Sequence, residues 1–189
     1  MNKGILVRID WNNHRWIRPS DLTDVNFGYA KETGLSHTAF NFAHKTYETE
    51  PDGLWYGLVP SFHSKTPDEK KIRQLKVVFM ISLNNQMEKT FVVGLYAFPK
   101  FGKKIREKPI KNFEEYNEVN IAALPTNIYC LNNPIDIDLL NFKRLLGDQE
   151  LSTMGWNYLS DGNVGYLLDE IDKVESSSTF KKIKFAILK

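Results

Sequence analysis

The sequence predicts an α+β protein in which a mixed or antiparallel sheet, or a small open barrel, is flanked by helices. Strand-like runs come first along the chain and helical patterns follow them, without the regular alternation of a doubly wound parallel sheet. The link at residues 84–87 is short and turn-like and joins two adjacent runs, which predicts an antiparallel hairpin.

Five short runs are rich in aliphatic, β-branched and aromatic residues and are bounded by Pro, Gly and Asn clusters. This composition is typical of strands, and the first run is a buried strand because it is apolar and too short for a helix. We predict strands at residues 4–9, 54–59, 75–83, 90–98 and 127–131.

Three segments combine a capping residue with apolar residues about one helical turn apart, which predicts helices. The first begins around Ser20 and closes at Gly34, the second runs from Asp136 or Asp138 to Gly147, and the third spans residues 164–174. Strands that come early, followed by helices, are the pattern that favours the α+β class.

The chain has 189 residues, of which 42% are hydrophobic, and this apolar content suffices for one sizeable core. We therefore predict one domain at residues 1–175. Residues 176–178 resemble a linker, and we expect 176–189 to be that linker and the start of a following domain.

Cys130 is the only cysteine, which excludes an internal disulfide and a cysteine-based zinc knuckle and suits a reducing cytosol. The N-terminal residues lack the pattern of a secretory signal, and no window of the sequence approaches a membrane span. We expect a soluble, cytoplasmic protein.

The net charge of +2 is too small to predict nucleic-acid binding by itself. The charge is nevertheless concentrated, because residues 100–111 carry six cations against Glu107 alone. A cationic run is often only a solvated loop, but this one follows a predicted strand and is a candidate phosphate-binding loop. Its candidate contacts are Lys100, Lys103, Lys104 and Arg106.

Ten of the 24 aromatic residues lie between Trp11 and Phe62, among only seven Ile, Leu and Val. We expect this stretch to be a poor core and a plausible recognition surface, because rings with amide and hydroxyl neighbours can sandwich an unstacked base. The alternative is that all of these rings are core, since burial is the default for large apolar groups.

The candidate residues for a base-binding cage are Trp16, Phe40, Trp55, Tyr56 and Trp156. Side chains alternate between the two faces of a strand, so Trp55 and Tyr56 cannot both line one pocket and one of them is expected in the core. Arg18, His37 and Asn41 are candidates for polar contacts to the base edge or the backbone, with local capping as the alternative for His37 and Asn41.

Enzymatic chemistry finds little support in the sequence. There is no phosphate-binding glycine loop or dinucleotide-binding turn, and no histidines are paired at metal-ligand spacing. The order of Pro51, Asp52, Glu69 and Lys71 imitates a metal-nuclease motif, but Glu69 and Lys71 fall in a charged, helix-like run rather than on a strand. We predict no enzyme, no cofactor and no metal.

One set of segments is specific enough to indicate a family. These are WIRPSDL at 16–22, FGY at 27–29, GLSHTAFNF at 34–42, WYG at 55–57 and VGLY at 93–96. They resemble the EVE-like branch of the PUA/YTH fold, and more narrowly the N-terminal recognition domains of archaeal McrB-type modification-dependent restriction proteins. The resemblance covers roughly residues 4–98.

The resemblance implies a small, strongly curved sheet and a DNA-binding domain that flips a modified base of double-stranded DNA, expected to be methylated, into an aromatic cage. It also implies an AAA+ GTPase domain in cis and a nuclease subunit in trans. This chain departs from the family at Phe40, where a tryptophan is expected. An RNA-binding PUA-like module and a domain that binds no nucleic acid stay as alternatives.

Overall fold

A computed structural model of the chain describes residues 2–21, 32, 34–64, 67, 69–102, 105–152 and 155–189. Eight strands lie in these ranges. They are β1 (Asn2–Ile9), β2 (Trp55–Gly57), β3 (Val77–Asn84), β4 (Lys89–Ala97), β5 (Lys100–Phe101), β6 (Ile121–Ala123), β7 (Ile128–Asp136) and β8 (Trp156–Ser160).

The strands form two sheets. The larger sheet has the order β7-β4-β3-β1-β8 and the smaller one has the order β2-β6-β5. Only β1 and β3 pair in parallel among the described pairs, so the larger sheet is mixed, as the sequence predicts. The described strands leave both sheets open, and the α+β class is confirmed without a closed barrel.

Five α-helices lie in the described ranges: α1 (Ser61–Ser64), α2 (Glu69–Ile72), α3 (Phe142–Leu146), α4 (Asp161–Val174) and α5 (Ser178–Leu188). Short 3-10 helices cover His37–Phe40, Ala43–Lys45, Pro125–Asn127 and Ile137–Leu139. None of the helices described is both long and apolar enough to cross a lipid bilayer.

The larger sheet separates two hydrophobic cores. On one face, the sheet residues Leu6, Phe79 and Leu95 pack with buried residues of α3, α4 and α5; we call this the helix-side core. On the opposite face, Val7 and Met80 pack with the smaller sheet and with the aromatic stretch; we call this the ring-side core. The sheet is thus covered on both faces, and its central strand β3 is buried at seven of its eight residues.

The aromatic stretch supplies much of the ring-side core. Its buried members include Trp16, Phe40, Phe42 and Trp55. The expectation that residues 11–62 make a poor core is therefore wrong, because a few large rings fill the space that a longer set of aliphatic side chains would otherwise occupy.

The strand predictions hold for the middle of the sheet. The link at 84–87 joins β3 and β4 as an antiparallel hairpin, as predicted. The strand predicted at 127–131 does not end before Pro134 but continues to Asp136, with residues 131–134 bulging between the pairs Gly94–Cys130 and Val92–Ile135. Proline is tolerated there because β7 is an edge strand.

The helix predictions hold in part. The predicted helix at 164–174 exists and begins earlier, at Asp161, because the Ser160 side chain caps it. The one predicted from Asp136 to Gly147 divides into Ile137–Leu139 and α3, since Asn141 caps a new helix by accepting from the Arg144 amide. Most of the helix predicted from Ser20 to Gly34 lies outside the described residues.

The C-terminal segment belongs to the same fold as the rest of the described chain. Phe180, Ile183 and Ile187 of α5 are buried in the helix-side core. The Lys184 ammonium lies 2.9 Å from the Asp169 carboxylate of α4. The expected boundary at residue 175 therefore does not separate residues 178–188 from the domain.

Glu175 fixes the turn between α4 and α5. Its buried carboxylate accepts hydrogen bonds from the Tyr129 hydroxyl at 2.7 Å, the Asn132 side chain at 3.0 Å and the Asn133 amide at 2.9 Å. One carboxylate thus joins edge strand β7 to the helical layer.

We predict that Glu175→Ala lowers the free energy of unfolding by about 1–3 kcal/mol, because it leaves the buried Tyr129 hydroxyl without this acceptor and removes two part-buried hydrogen bonds from Asn132 and Asn133. Glu170→Ala on α4 is the matched control, since it removes only a partner of Lys173 on the helix surface. Urea denaturation of both variants measures the difference. An equal loss in the two variants would contradict the role of Glu175.

Candidate nucleic-acid interface

Three of the predicted cage rings are inaccessible to solvent. Trp16 is 2% exposed, and Phe40 and Trp55 are each 1% exposed. All three belong to the ring-side core. A stacking platform needs an open ring face, so in this structure these rings support a surface rather than form one.

Trp55 and Tyr56 lie on opposite faces of β2, as strand alternation predicts. The Trp55 indole N–H donates to the carbonyls of Phe40 at 3.1 Å and Asn41 at 3.2 Å. Tyr56 is half-buried, and its hydroxyl donates to Asp52 at 2.8 Å. Trp55 is the core member of the pair.

Trp156 lies on edge strand β8, opposite Val7 of β1. Its half-buried ring packs edge to face on Tyr158, with 4.7 Å between the ring centroids. The Lys71 ammonium stands 5.3 Å from the Tyr158 ring. These rings sit at the margin of the ring-side core.

Asn41 is fully buried, and its side chain forms hydrogen bonds with backbone groups. Its amide N–H donates to the Leu58 carbonyl and its amide oxygen accepts from the Leu58 N–H, both at 2.8 Å. The Asn41 carbonyl also accepts from the Tyr96 hydroxyl. This is the local bonding role that the sequence left open as the alternative to a base contact.

Arg18 and His37 are more accessible. The Arg18 guanidinium lies 2.7 Å from the His14 Nδ1, and the His14 Nε2 lies 3.0 Å from the Asp21 carboxylate. A guanidinium can only donate, so Nδ1 accepts and Nε2 carries the proton shared with Asp21. His37 is half-buried, with its ring 6.0 Å from that of Tyr116.

The predicted phosphate-binding loop divides in the structure. Lys100 is exposed, whereas Lys103 and Lys104 lie outside the described residues. Arg106 is buried: its guanidinium stacks 4.5 Å above the Trp55 ring and donates to the Tyr56 carbonyl. Burial lowers the pKa of Arg106. Arg106 therefore anchors the loop and is not available to a phosphate in this conformation.

A second group of rings surrounds Phe40. We call Phe40, His37, Tyr47, Phe113 and Tyr116 the Phe40 cluster. The Phe40 ring centroid lies 5.8 Å from that of Tyr47, 5.3 Å from that of Phe113 and 5.0 Å from that of Tyr116. Phe40 and Tyr116 are buried, whereas the other three are half-buried and reach the surface.

Sequence reasoning missed Phe113 and Tyr116 because both lie in a polar, acid-rich stretch with no strand or helix pattern. Their proximity to Phe40 depends on the loop at 105–116 folding back on the aromatic stretch. Arg106 and the Phe40 cluster together make that contact. Short-range patterns in the sequence do not predict a long-range contact of this kind.

A half-buried carboxylate, that of Asp10 just after β1, was also missed. The Ser36 hydroxyl donates to Asp10 at 2.6 Å and is itself 2.8 Å from the Thr38 hydroxyl. Burial raises the pKa of Asp10, while the hydrogen bonds from Ser36 and Thr38 act in the opposite direction. The carboxylate fixes the start of the 3-10 helix His37–Phe40, which carries two members of the Phe40 cluster.

Metal and thiol chemistry have little basis in the part of the chain that the structure describes. No group of three or more His, Cys, Asp or Glu residues in those ranges could hold a metal ion. Burial raises the pKa of the Cys130 thiol to about 11, which keeps it protonated near neutral pH.

Comparison with known proteins finds no matching family model, no matching curated protein and no matching solved structure.

We predict that Trp55→Ala lowers the free energy of unfolding by about 3–5 kcal/mol, because it opens a cavity in the ring-side core and unstacks the buried Arg106. Tyr56→Ala, the neighbouring change on the other face of β2, should cost much less because the ring is half-exposed. Thermal and urea unfolding of the pair measures this. Comparable losses would show that Trp55 is not the core member.

His44 gives the fold a predictable response to acid. Both of its ring nitrogens are inaccessible to solvent. Burial lowers its pKa from 6.5 to about 4, the charge on Lys45 adds to that shift, and a hydrogen bond with the Phe42 backbone opposes it. Between these two pH values the unfolded chain binds a proton at this residue that the folded chain does not bind.

We predict that His44 makes the protein less stable as the pH falls from about 6.5 towards 4, and contributes no pH dependence above 6.5. His44→Gln should therefore lose less stability than the wild type when the pH is lowered from 7 to 5. Urea denaturation at both pH values checks the comparison, and equal losses in the two proteins would refute it.

Proposed function

We propose that this chain is a DNA-binding domain that recognises a modified base, with the EVE-like variant of the PUA/YTH fold. The proposal starts from the resemblance of residues 16–22, 34–42 and 55–57 to that family. A mixed sheet flanked by helices agrees with such a fold at the level of its class.

One observation carries the proposal further: residues 105–116, which begin in the cationic loop, pack against the aromatic stretch. Arg106 of the loop stacks on Trp55, and Phe113 and Tyr116 pack against Phe40. The sequence predicts these two stretches separately, as a base-stacking segment and as a phosphate-binding segment. Their contact brings the two kinds of residue that a nucleotide site requires into one region of the fold, with Arg106 holding the loop rather than contacting a phosphate.

The rings suited to the ligand are the half-buried members of the Phe40 cluster. His37, Tyr47 and Phe113 reach the surface while Phe40 and Tyr116 support them from the core. The Phe40 ring meets Tyr47 at 75° and Tyr116 at 70°, so these rings pack edge to face rather than form one flat stack. A ring that stacks on a flipped base contributes about 1–3 kcal/mol.

The charge near this surface is of both signs. Lys45 and Lys111 are exposed, Lys108 pairs with Glu48, and the acids 114 and 115 adjoin Phe113. Few phosphate contacts are therefore expected, and the rings must supply most of the discrimination. Burial of one methyl group adds only about 0.8 kcal/mol, so the pocket also needs shape and hydrogen bonds to the base edge.

The same resemblance gives the domain its place in a larger assembly. We propose that it targets an AAA+ GTPase domain of the same protein and, through it, a nuclease subunit to modified DNA. The domain itself then needs only to bind, which agrees with the lack of nucleotide-hydrolysis motifs in its sequence.

The test is a binding panel at one fixed salt concentration. It compares duplexes of one sequence that are unmodified, carry N6-methyladenine or carry 5-methylcytosine, together with the matched RNA. We expect one modified duplex to bind at least tenfold more tightly than the unmodified one. Tightest binding to RNA would replace the proposal with an RNA-binding module, and no binding to any of them would refute it.

We predict that Phe113→Ala and Tyr47→Ala remove the preference for the modified duplex while weak binding to all duplexes stays close to wild type in the folded variants. The reason is that base stacking and phosphate contacts contribute separately. Phe185→Ala is the control, because that ring is 63% exposed on the opposite, helical layer. Retained preference in both test variants would place the base elsewhere.

A further inference from the structure

The loop that follows β1 has an unusual backbone. Arg15 and Trp16 are consecutive non-glycine residues with left-handed φ angles of 58° and 57°. For L-residues this conformation costs about 1–2 kcal/mol each, so it persists only where the surroundings hold it in place. Strain of this kind is concentrated at functional sites.

The side chain of Asn12 holds this loop from within. Its amide oxygen accepts from the His14 N–H at 2.7 Å and the Trp16 N–H at 3.2 Å. Its amide nitrogen donates to the Arg18 carbonyl and the Ser20 hydroxyl, both at 2.9 Å. Asn12 is buried, so these four bonds are shielded from water.

Trp16 fastens the same loop to the core. Its indole N–H donates to the Asp10 carbonyl at 2.8 Å, and its own carbonyl accepts from the Phe42 N–H at 3.1 Å. The loop is thus rigid at its base and tied to the aromatic stretch.

Along the chain, the loop carries an exposed apolar residue, Ile17, flanked by two arginines. Ile17 is 38% exposed and is preceded by the buried Trp16, so it lies where the strained turn meets solvent. Arg15 and Arg18 on either side of this pair are exposed. Each guanidinium is positioned: Arg15 lies 3.1 Å from the Leu131 carbonyl, and Arg18 is held by His14.

We propose that Ile17 is a wedge that enters the base stack beside the flipped base, with Arg15 and Arg18 contacting the phosphates on either side. This inference rests on the proposed function. An apolar side chain inserted between base steps unstacks the duplex, and the energy needed is recovered from added contacts. A single exposed isoleucine is ordinary by itself, but a rigid, strained loop that holds one between two arginines matches what insertion requires.

The charge of the loop fits a duplex and not an apolar partner. A guanidinium binds a phosphate through two parallel hydrogen bonds. The Asp21 carboxylate is engaged by His14, which lies between it and Arg18. Ile17 matches the apolar faces of the bases, and Arg15 and Arg18 match the phosphates of the two strands.

The experiment uses the duplex that the wild type prefers, with 2-aminopurine next to the modified base as a reporter of unstacking. We expect Ile17→Ser to bind this duplex about tenfold more weakly and to lose most of the fluorescence increase, while binding to unmodified duplex stays within about twofold. Ile17→Met should restore both signals, because it returns an apolar side chain of similar length. Leu139→Ser, at a site 80% exposed beside the helical layer, is the control.

The two proposals fail separately. A wild type that prefers a modified duplex while Ile17→Ser keeps full affinity and the full fluorescence increase overturns the wedge alone. A wild type without preference among the duplexes overturns the proposed function and the wedge with it. Unfolding midpoints of all variants should match the wild type, because Ile17 and Leu139 are surface residues.

Discussion

The structure depends on one constraint: an irregular segment of chain has to cover an apolar face of the larger sheet without leaving backbone groups unpaired. Residues 34–62 contain only short helical turns and the three-residue strand β2. Buried backbone N–H and C=O groups without partners would cost about 1–3 kcal/mol each. Side chains therefore have to supply the hydrogen bonds that regular structure would otherwise supply.

Asparagine side chains meet this need at three places. Asn41 and Asn120 each bond to both the N–H and the C=O of one residue, Leu58 and Val59 respectively. The carboxamide thus imitates a neighbouring strand for two consecutive residues just beyond β2. Asn12 does the same for the loop after β1, where it satisfies four groups. Two of the four asparagines in the stretch that suggests a recognition surface, Asn12 and Asn41, therefore have this internal role.

Tryptophan rings also contribute, because each fills core volume and donates one hydrogen bond to a backbone carbonyl. The indole N–H groups of Trp16 and Trp55 donate to backbone carbonyls of Asp10 and Phe40. An aliphatic side chain of equal volume could not tie down the backbone in this way. Cage and core use the same residue types, so composition alone could not separate them.

The sequence was informative where structure is local. The strands at 75–83 and 90–98 and the helix at 164–174 follow from periodicity and caps, and the structure contains all three. Strand β8 was missed because its alternating Trp, Asn, Tyr and Ser resemble a polar segment, although Asn157 is buried and bonds to Glu150 and Ser152. Its place at the sheet edge is decided by pairing with β1, which is a long-range contact.

The candidate site likewise depends on long-range contacts that the sequence does not predict. Nothing near Arg106 in the sequence distinguishes it from the lysines around it, although its guanidinium stacks on Trp55 in the structure. Nor does Phe113 resemble a binding residue until the loop folds onto Phe40. Both contacts bring together residues more than fifty positions apart, so they are properties of the fold and not of any segment. Because the same contacts that close the ring-side core also position the accessible rings, the geometry of this surface is set when the protein folds. The binding free energy of a ligand at this surface is therefore not reduced by the entropy cost of ordering these contacts.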